Sequence, residues 1–306
     1  MKSEKIICRV LTGPTASGKT KIGIRLALER GWDILCMDSM QIYRRMNIGT
    51  AKPSPEEMRI VPHHLLNLCE PTDQYSVSDY RDTAERLVLE LAEKGREVLF
   101  IGGTALYLQA MMHPMGMGQV SANPELREKL HKIAETTEGK TIIHERLRKI
   151  DPVTAERLPV NDVRRIIRAI EVSEATGIPF SEQPNREFPT KFEWKIVSTA
   201  MERPHLYERI NKRVTKMIQD GLKEEVSSLL AEGVPEEAQS MQGLGYKEMI
   251  PCIRGEYPIE DAADRIRLGT RHYAKRQMTF LKREEKMKYV DVENPGAYEE
   301  IKRILK

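Results

Sequence analysis

Apolar and polar positions alternate in two rhythms along the chain. KIICRVL, residues 5–11, is a short apolar run closed by a glycine, and after a loop KIGIRLALER repeats Ile22, Leu26 and Ala27 at helical spacing. That pattern predicts strand, loop, helix. DILCM, residues 33–37, predicts a second strand with Asp38 at its carboxyl end, and REVLFIGGT, residues 96–104, a third that ends in Gly102, Gly103 and Thr104 before a helical ALYLQAMM. From about 120 to 190 the strand signals stop, and helical stretches alternate with Pro124, Pro152, Pro159, Pro179, Pro184 and Pro189. Strand character returns at WKIVSTAM, residues 194–201. A long amphipathic helix follows, with Leu206, Ile210, Val214, Met217 and Ile218 inward and Arg209, Arg213 and Lys216 outside. Strands alternating with helices predict an α/β fold, a parallel sheet flanked by helices. The expected division is a core of residues 1–119 and 191–306, interrupted by an all-helical insertion at 120–190.

The first loop carries the chemistry. Gly13, Pro14, Thr15, Ala16, Ser17, Gly18, Lys19 and Thr20 form a complete G-x-x-x-x-G-K-[ST] run between a strand and a helix. In that setting backbone N–H groups converge on phosphate oxygens at a helix N-terminus, Lys19 neutralises phosphate charge, and the Thr20 hydroxyl sits on Mg²⁺. The core therefore reads as P-loop NTPase-like, and such a loop ordinarily holds ATP or GTP. Ligands of open parallel sheets lie beyond the carboxyl ends of the strands, which puts Lys19, Thr20, Asp38 and Thr104 on one cleft. Taken singly, Asp38 could equally cap a turn with Ser39, and Thr104 could cap the helix after it. No motif for a specific nucleotide base accompanies the loop.

Charge enters locally. The net charge of the 306 residues is only +3, with 31% charged and 40% hydrophobic residues, so average composition announces no nucleic-acid partner. Two stretches do. Arg265 to Arg283 holds seven Lys or Arg and no acid, with Tyr273 and Phe280 interleaved, a composition suited to phosphate backbone and unpaired bases as well as to a solvated helix face. In NDVRRIIRAIEV, Val163, Ile166, Ile167 and Ile170 make an apolar stripe that leaves Arg164, Arg165 and Arg168 together on the other face. Cys8, Cys36, Cys69 and Cys252 stand too far apart for a zinc or disulfide framework, and His63–His64 lack metal-ligand spacing. Glu4 and Arg9 break any signal-peptide core, and no apolar run is long enough to span a membrane, so a cytoplasmic, soluble protein without a membrane partner is expected.

GPTASGKT, DSMQIYRRMNIGTAKP (38–53), YSVSDYR (75–81), GGTALYL (102–108), QGLGYKE (242–248) and YAKRQ (273–277), in this order, resemble the bacterial tRNA dimethylallyltransferase family, also called tRNA isopentenyltransferases. The resemblance spans essentially the whole chain. It implies transfer of a dimethylallyl group from dimethylallyl diphosphate to the exocyclic N6 amine of adenosine 37 in the anticodon stem-loop of tRNA, releasing diphosphate. The phosphate loop then holds an isoprenoid diphosphate with Mg²⁺ on Thr20, and Asp38 matches the family's general base. Sequence spacing leaves Arg209 and Arg213 equivalent; the resemblance selects Arg213 for the diphosphate, with Arg209 expected in a surface ion pair. Contacts to tRNA are implied for Asp38, Ser39, Met40, Gln41, Thr104, Arg127, Arg164, Arg165, Ile166, Ile167, Arg168, Gln242, Gly243, Leu244, Gly245, Tyr246 and Lys247. A monomer is expected. Phe280, where many members carry Trp, and His272, inside the basic run, depart from the pattern. The rival readings are a P-loop small-molecule or nucleoside kinase and a non-catalytic RNA-binding protein with a decayed nucleotide site.

Overall fold

The computed structural model describes residues 5–113, 120, 122–184 and 191–306. Pro189 and the ends of the expected boundaries at 119 and 190 lie outside them. Contacts divide the chain into two units, Met1–Met112 with Pro189–Lys306, and His113–Phe188.

The first unit begins with β1 (Ile6–Thr12), the phosphate loop and α1 (Lys19–Arg30), then β2 (Asp33–Cys36), α2 (Pro55–Ile60), the two-residue β3 (His63–His64), α3 (Val77–Glu93), β4 (Val98–Ile101) and α4 (Ala105–Met112). The second unit contains α5 (Pro124–Ile133), α6 (Thr137–Ile150), α7 (Pro152–Arg157) and α8 (Val163–Thr176), followed by a single 3₁₀ turn at Phe180–Glu182. The chain then returns to the first unit with β5 (Phe192–Ala200), α9 (Arg203–Gln219), α10 (Leu222–Ala231), α11 (Tyr246–Ile253), α12 (Ile259–Leu281), β6 (Lys288–Asp291) and α13 (Ala297–Leu305).

The six strands form one parallel sheet in the order β3-β2-β4-β1-β5-β6. β1 lies between β4 and β5, with Val10 opposite Phe100 on one side and Ile196 on the other. Burial on both faces explains the mostly apolar runs of β1, β2 and β4, in which the buried Arg9 and Asp33 are charged and paired, to Glu97 and Arg96 respectively. One face packs Leu35, Phe100 and Ile196 under α3 and α4; the other packs Leu11, Leu99 and Val197 under α1 and α13. The sequence reading missed β6 and α13, and His63–His64 are an edge strand. His64 Nε2 lies 3.1 Å from the Asp33 carboxylate, and among the described residues no cluster of three His, Cys, Asp or Glu could hold a metal.

A third apolar cluster joins α9 to α12: Leu206, Ile210 and Val214 meet Val226, Tyr246, Met249, Ile266 and Ala274. Met217 and Ile218 are only partly buried against it. The second unit closes on a core of its own, in which Leu130, Leu147, Ile166 and Ile170 pack together. Cysteine thiols are free; Cys8, Cys36 and Cys252 are buried and Cys69 is half-buried. Among the described residues no helix is long and apolar enough to cross a membrane.

Candidate active site

The phosphate loop leaves β1 at Gly13, whose backbone lies so close to β5 that a Cβ there would fall 2.1 Å from the Thr199 hydroxyl. Only glycine fits that approach. Ser17 fixes the loop from below, its hydroxyl 2.6 Å from Thr199 Oγ1 and donating to Pro14 O at 2.8 Å. With its side chain spent inward and 1% exposed, Ser17 has only its backbone to offer an anion. Lys19 donates to Pro14 O at 3.0 Å, which parks its ammonium over the loop.

Above the loop lies a cavity of about 320 Å³. Lys19 and Thr20 line it from α1, Asp38 and Gln41 from the loop after β2, Gly102 and Gly103 from the end of β4, Arg209 and Arg213 from α9, and Tyr273 and Gln277 from α12. Polar ends of β1, β2 and β4 thus converge where the chain reverses its direction of travel across a parallel sheet. Arg213 corrects its expected outward position: its Nη1 donates to Thr15 Oγ1 at 3.1 Å, inside the cavity. Arg209 corrects the expected surface ion pair. It lines the same cavity, with Nη2 close enough to Gly18 that a Cβ there would stand 3.0 Å away. One helical turn separates the two arginines, so one face of α9 presents both.

The electrostatics follow from this crowding. Burial, then the neighbouring Arg213, lowers the Lys19 ammonium to about 8, against a smaller upward pull from Asp38. Burial and the neighbouring Arg209 likewise lower Arg213. Lys19, Lys21, Arg209 and Arg213 line the cavity against the carboxylates of Asp38 and Glu57, an excess of positive charge that an anion offsets. Asp38 Oδ1 accepts from the amides of Met40 at 2.9 Å and Gln41 at 3.4 Å, so the turn-capping role is real. Among the described residues no protein donor reaches Oδ2, which remains able to take a proton. Thr104 does not cap α4 through its side chain: its Oγ1 accepts from Ser39 N at 3.0 Å and ties the β4 loop to the β2 loop.

Gln277 was not identified as a site residue from the sequence. It is 4% exposed, its Oε1 accepts from Thr15 N at 2.9 Å, and its Nε2 donates to Gly103 O at 2.8 Å. A single side chain from α12 therefore ties the phosphate loop to the β4 loop. Tyr273, one turn earlier, is raised by burial and by Asp38, which keeps its phenol protonated beside Thr104 and Gln277.

A family model described as IPP transferase matches residues 41–284. The chain belongs to the IPP transferase family. Beyond the matched segment, relatives carry the likeness across the phosphate loop. The tRNA dimethylallyltransferase of Desulforudis audaxviator is 44% identical over 289 residues, 94% of this chain and 93% of the relative. That of Caldanaerobacter subterraneus subsp. tengcongensis is 39% identical over 297 residues, 96% and 94% respectively. Among solved structures, the tRNA isopentenylpyrophosphate transferase of Bacillus halodurans superposes with a TM-score of 0.72 at 36% identity, covering 99% of this chain and 96% of that one. A eukaryotic dimethylallyltransferase captured acting on tRNA gives a TM-score of 0.76 at 26% identity, over 94% of this chain and 74% of its own.

In this IPP transferase the residues expected at tRNA fall into groups of differing availability. Met40 packs on Gly243, where a Cβ would meet its Cε at 2.4 Å, so the 38–41 segment and the 242–247 motif adjoin. Gln242 and Lys247 are exposed and Leu244 is half-buried, whereas Gly243, Gly245 and Tyr246 are buried. The Tyr246 ring, fully buried, is unavailable to RNA. In the second unit Ile166 and Ile167 are buried core residues, which restricts RNA contact on α8 to their neighbours. Arg164 and Arg165 are exposed, Arg165 pairing loosely with Asp162 at 3.4 Å. Arg127, implied as a tRNA contact, is engaged within the protein: its guanidinium is bidentate at 2.8 Å to the fully buried Glu171, which Arg168 also meets at 2.5 Å. On the basic α12, Arg265 lies over the Tyr257 ring, Arg267 pairs with Asp264 and Arg271 donates to Asn211, while Lys275 and Arg276 are exposed.

Proposed function

We propose that this IPP transferase moves a dimethylallyl group from dimethylallyl diphosphate to the N6 amine of adenosine 37 in the anticodon stem-loop of tRNA, releasing diphosphate. The observation that carries the reading is a single cavity in which phosphate-loop cations and the carboxylate of Asp38 face the same space. The diphosphate rests on the loop amides, with Lys19 and Arg213 compensating its charge and Arg209 adding a third cation. As the allylic C1–O bond breaks, negative charge grows on the departing oxygens, where these preorganised donors act most strongly. The N6 amine attacks C1, and its proton passes to Asp38 Oδ2.

The donor set also suits Mg²⁺, which prefers hard oxygen ligands and keeps few protein ones. Thr20 would hold it with its hydroxyl alongside the diphosphate oxygens, and the ion would neutralise charge on the leaving group. The adenine reaches this cavity only after leaving the anticodon-loop stack, a step costing a few kcal/mol that contacts to the RNA backbone offset. Exposed Arg164, Arg165, Gln242 and Lys247 suit that role. The test supplies labelled dimethylallyl diphosphate and labelled ATP separately, each with unmodified tRNA. Label on RNA from the allylic donor alone is expected; label from ATP alone would return the chain to the kinase reading.

A further inference from the structure

The cavity wall opposite the phosphate loop is an irregular segment, residues 46–53, from which Thr50, Ala51 and Pro53 line the space. Its backbone bears unusual conformations: Ala51 sits at φ 49° and Arg45, just before it, at φ 62°. Non-glycine residues hold such angles only where their surroundings enforce them. The enforcement comes from a carboxylate far away in sequence. Glu225, in the first turn of α10, accepts at Oε2 from the amides of Asn47 and Ile48, each at 2.8 Å, and at Oε1 from Gly49 at 3.1 Å. The Tyr246 hydroxyl donates to Oε1 at 2.5 Å. The Tyr246 ring presses on Gly49 so closely that a Cβ there would come within 2.5 Å of it. From inside, Gln41 Nε2 donates to Thr50 O at 3.1 Å and Ala51 O at 3.2 Å.

We propose that Glu225, braced by Tyr246, is a positioning residue that holds the 47–51 wall against the reacting groups and keeps water from the allylic carbon during transfer. This deepens the prenyl-transfer reading and rests on it. Without the wall in place, water attacks C1 as the C1–O bond breaks, giving dimethylallyl alcohol, diphosphate and a proton instead of prenylated RNA. An allylic donor is prone to this leak because its carbon gains positive character early. Tyr246 thereby has a duty distinct from touching RNA: it joins the QGLGYKE motif to the cavity wall.

The experiment measures diphosphate released per prenyl group fixed on tRNA, together with amide hydrogen exchange at residues 47–49 and tRNA affinity. In Glu225→Gln one amide hydrogen faces donors that need an acceptor. Exchange at Asn47, Ile48 and Gly49 should accelerate by roughly tenfold or more, and the release ratio should rise from near one to about two or above, with tRNA affinity unchanged. A variant that weakens the fold alone lowers the amount of active protein but leaves the ratio at one. Tyr246→Phe, which removes only the hydroxyl, should raise the ratio less, and it keeps the test open should Glu225→Gln fail to fold. A ratio of one in both variants despite faster exchange, or a loss of tRNA affinity in step with transfer, overturns the proposal. If the unaltered protein transfers no prenyl group at all, the reaction assignment fails, while the exchange data still report the hold of Glu225 on the loop.

Discussion

Replacing Gln277 with leucine keeps the volume of a nearly buried side chain and removes two hydrogen bonds at once. The two partners do not suffer alike. Gly103 O is buried, so losing its donor strands an acceptor, at about 1–3 kcal/mol. The Thr15 amide borders the cavity, where water can replace the lost acceptor, and adds little. Folding stability should therefore fall by about 1–3 kcal/mol in a denaturant titration. Catalysis should suffer separately, because Thr15 is held by its amide to Gln277 and by its hydroxyl to Arg213. Releasing the first tether misplaces one phosphate-facing amide, and a hydrogen bond to a charged group contributes about 1.5–3 kcal/mol. At 1.4 kcal/mol per tenfold, kcat/KM for dimethylallyl diphosphate should drop by about 10- to 150-fold. Steady-state prenyl transfer to an anticodon stem-loop, corrected for folded protein, reads the effect. Gln277→Glu should be worse still, since its second oxygen faces Gly103 O and adds a negative charge beside the diphosphate. Unchanged stability together with kcat/KM within about threefold of the parent would falsify the tether.

Asp38→Ala should lower kcat by about 10²- to 10⁴-fold with little change in tRNA affinity, and an unaltered kcat in single-turnover transfer removes Asp38 from the base role. Arg213→Ala should weaken use of the allylic diphosphate, in KM, kcat or both, whereas RNA binding by filter assay should hold. Lys19, lowered to about 8 by burial and Arg213, is partly neutral above that pH in the free protein, and an anion restores its proton. Calorimetric binding of inorganic diphosphate near pH 8–9 should therefore include proton uptake by Lys19 and weaken as pH climbs, and Lys19→Met should remove that uptake, shifting the buffer dependence of the heat to that of the diphosphate's own ionisation. Joint replacement of Arg164 and Arg165 by Ala should lower the logarithmic salt slope of tRNA binding by up to about two, whereas Glu171→Ala should destabilise the second unit by about 1–3 kcal/mol through the lost charged hydrogen bonds to Arg127, Arg168 and the Asn123 amide.

What the sequence made legible was local. β1, β2, β4 and β5 were readable because a parallel strand covered on both faces is mostly apolar, and the phosphate loop because its glycines and lysine fall within one eight-residue run. Asp38 followed from the rule that sites gather at carboxyl ends of strands; Thr104, expected in the same cleft, does not line the cavity and instead braces Ser39. Residues that act across the fold were invisible by the same logic. Gln277 meets Thr15 across 262 positions and Glu225 meets Gly49 across 176, and neither pairing leaves a periodic trace. Helical spacing could not separate Arg209 from Arg213 because they share a face of α9, and the cavity takes both. Helical spacing already put Ile166 and Ile167 on the packing face, and burial holds them there; the burial of Tyr246, set by residues distant in sequence, had no such local sign. Charge runs leave pairing unread for a related reason: some guanidiniums, Arg265, Arg267 and Arg271 on α12 and Arg127 on α5, already meet a ring, a carboxylate or an amide.

The native thiols are poorly disposed to react. Burial pushes Cys8 up to about 12 and Cys69 up to about 11, burial likewise raises Cys36, and Cys252 is 6% exposed. Maleimide chemistry proceeds through the thiolate, so these four sulfurs are slow competitors for a dye. A single cysteine introduced at an exposed position such as Ser228 can thus be labelled without stripping the native ones, and fluorescence anisotropy of that derivative would follow RNA docking in real time.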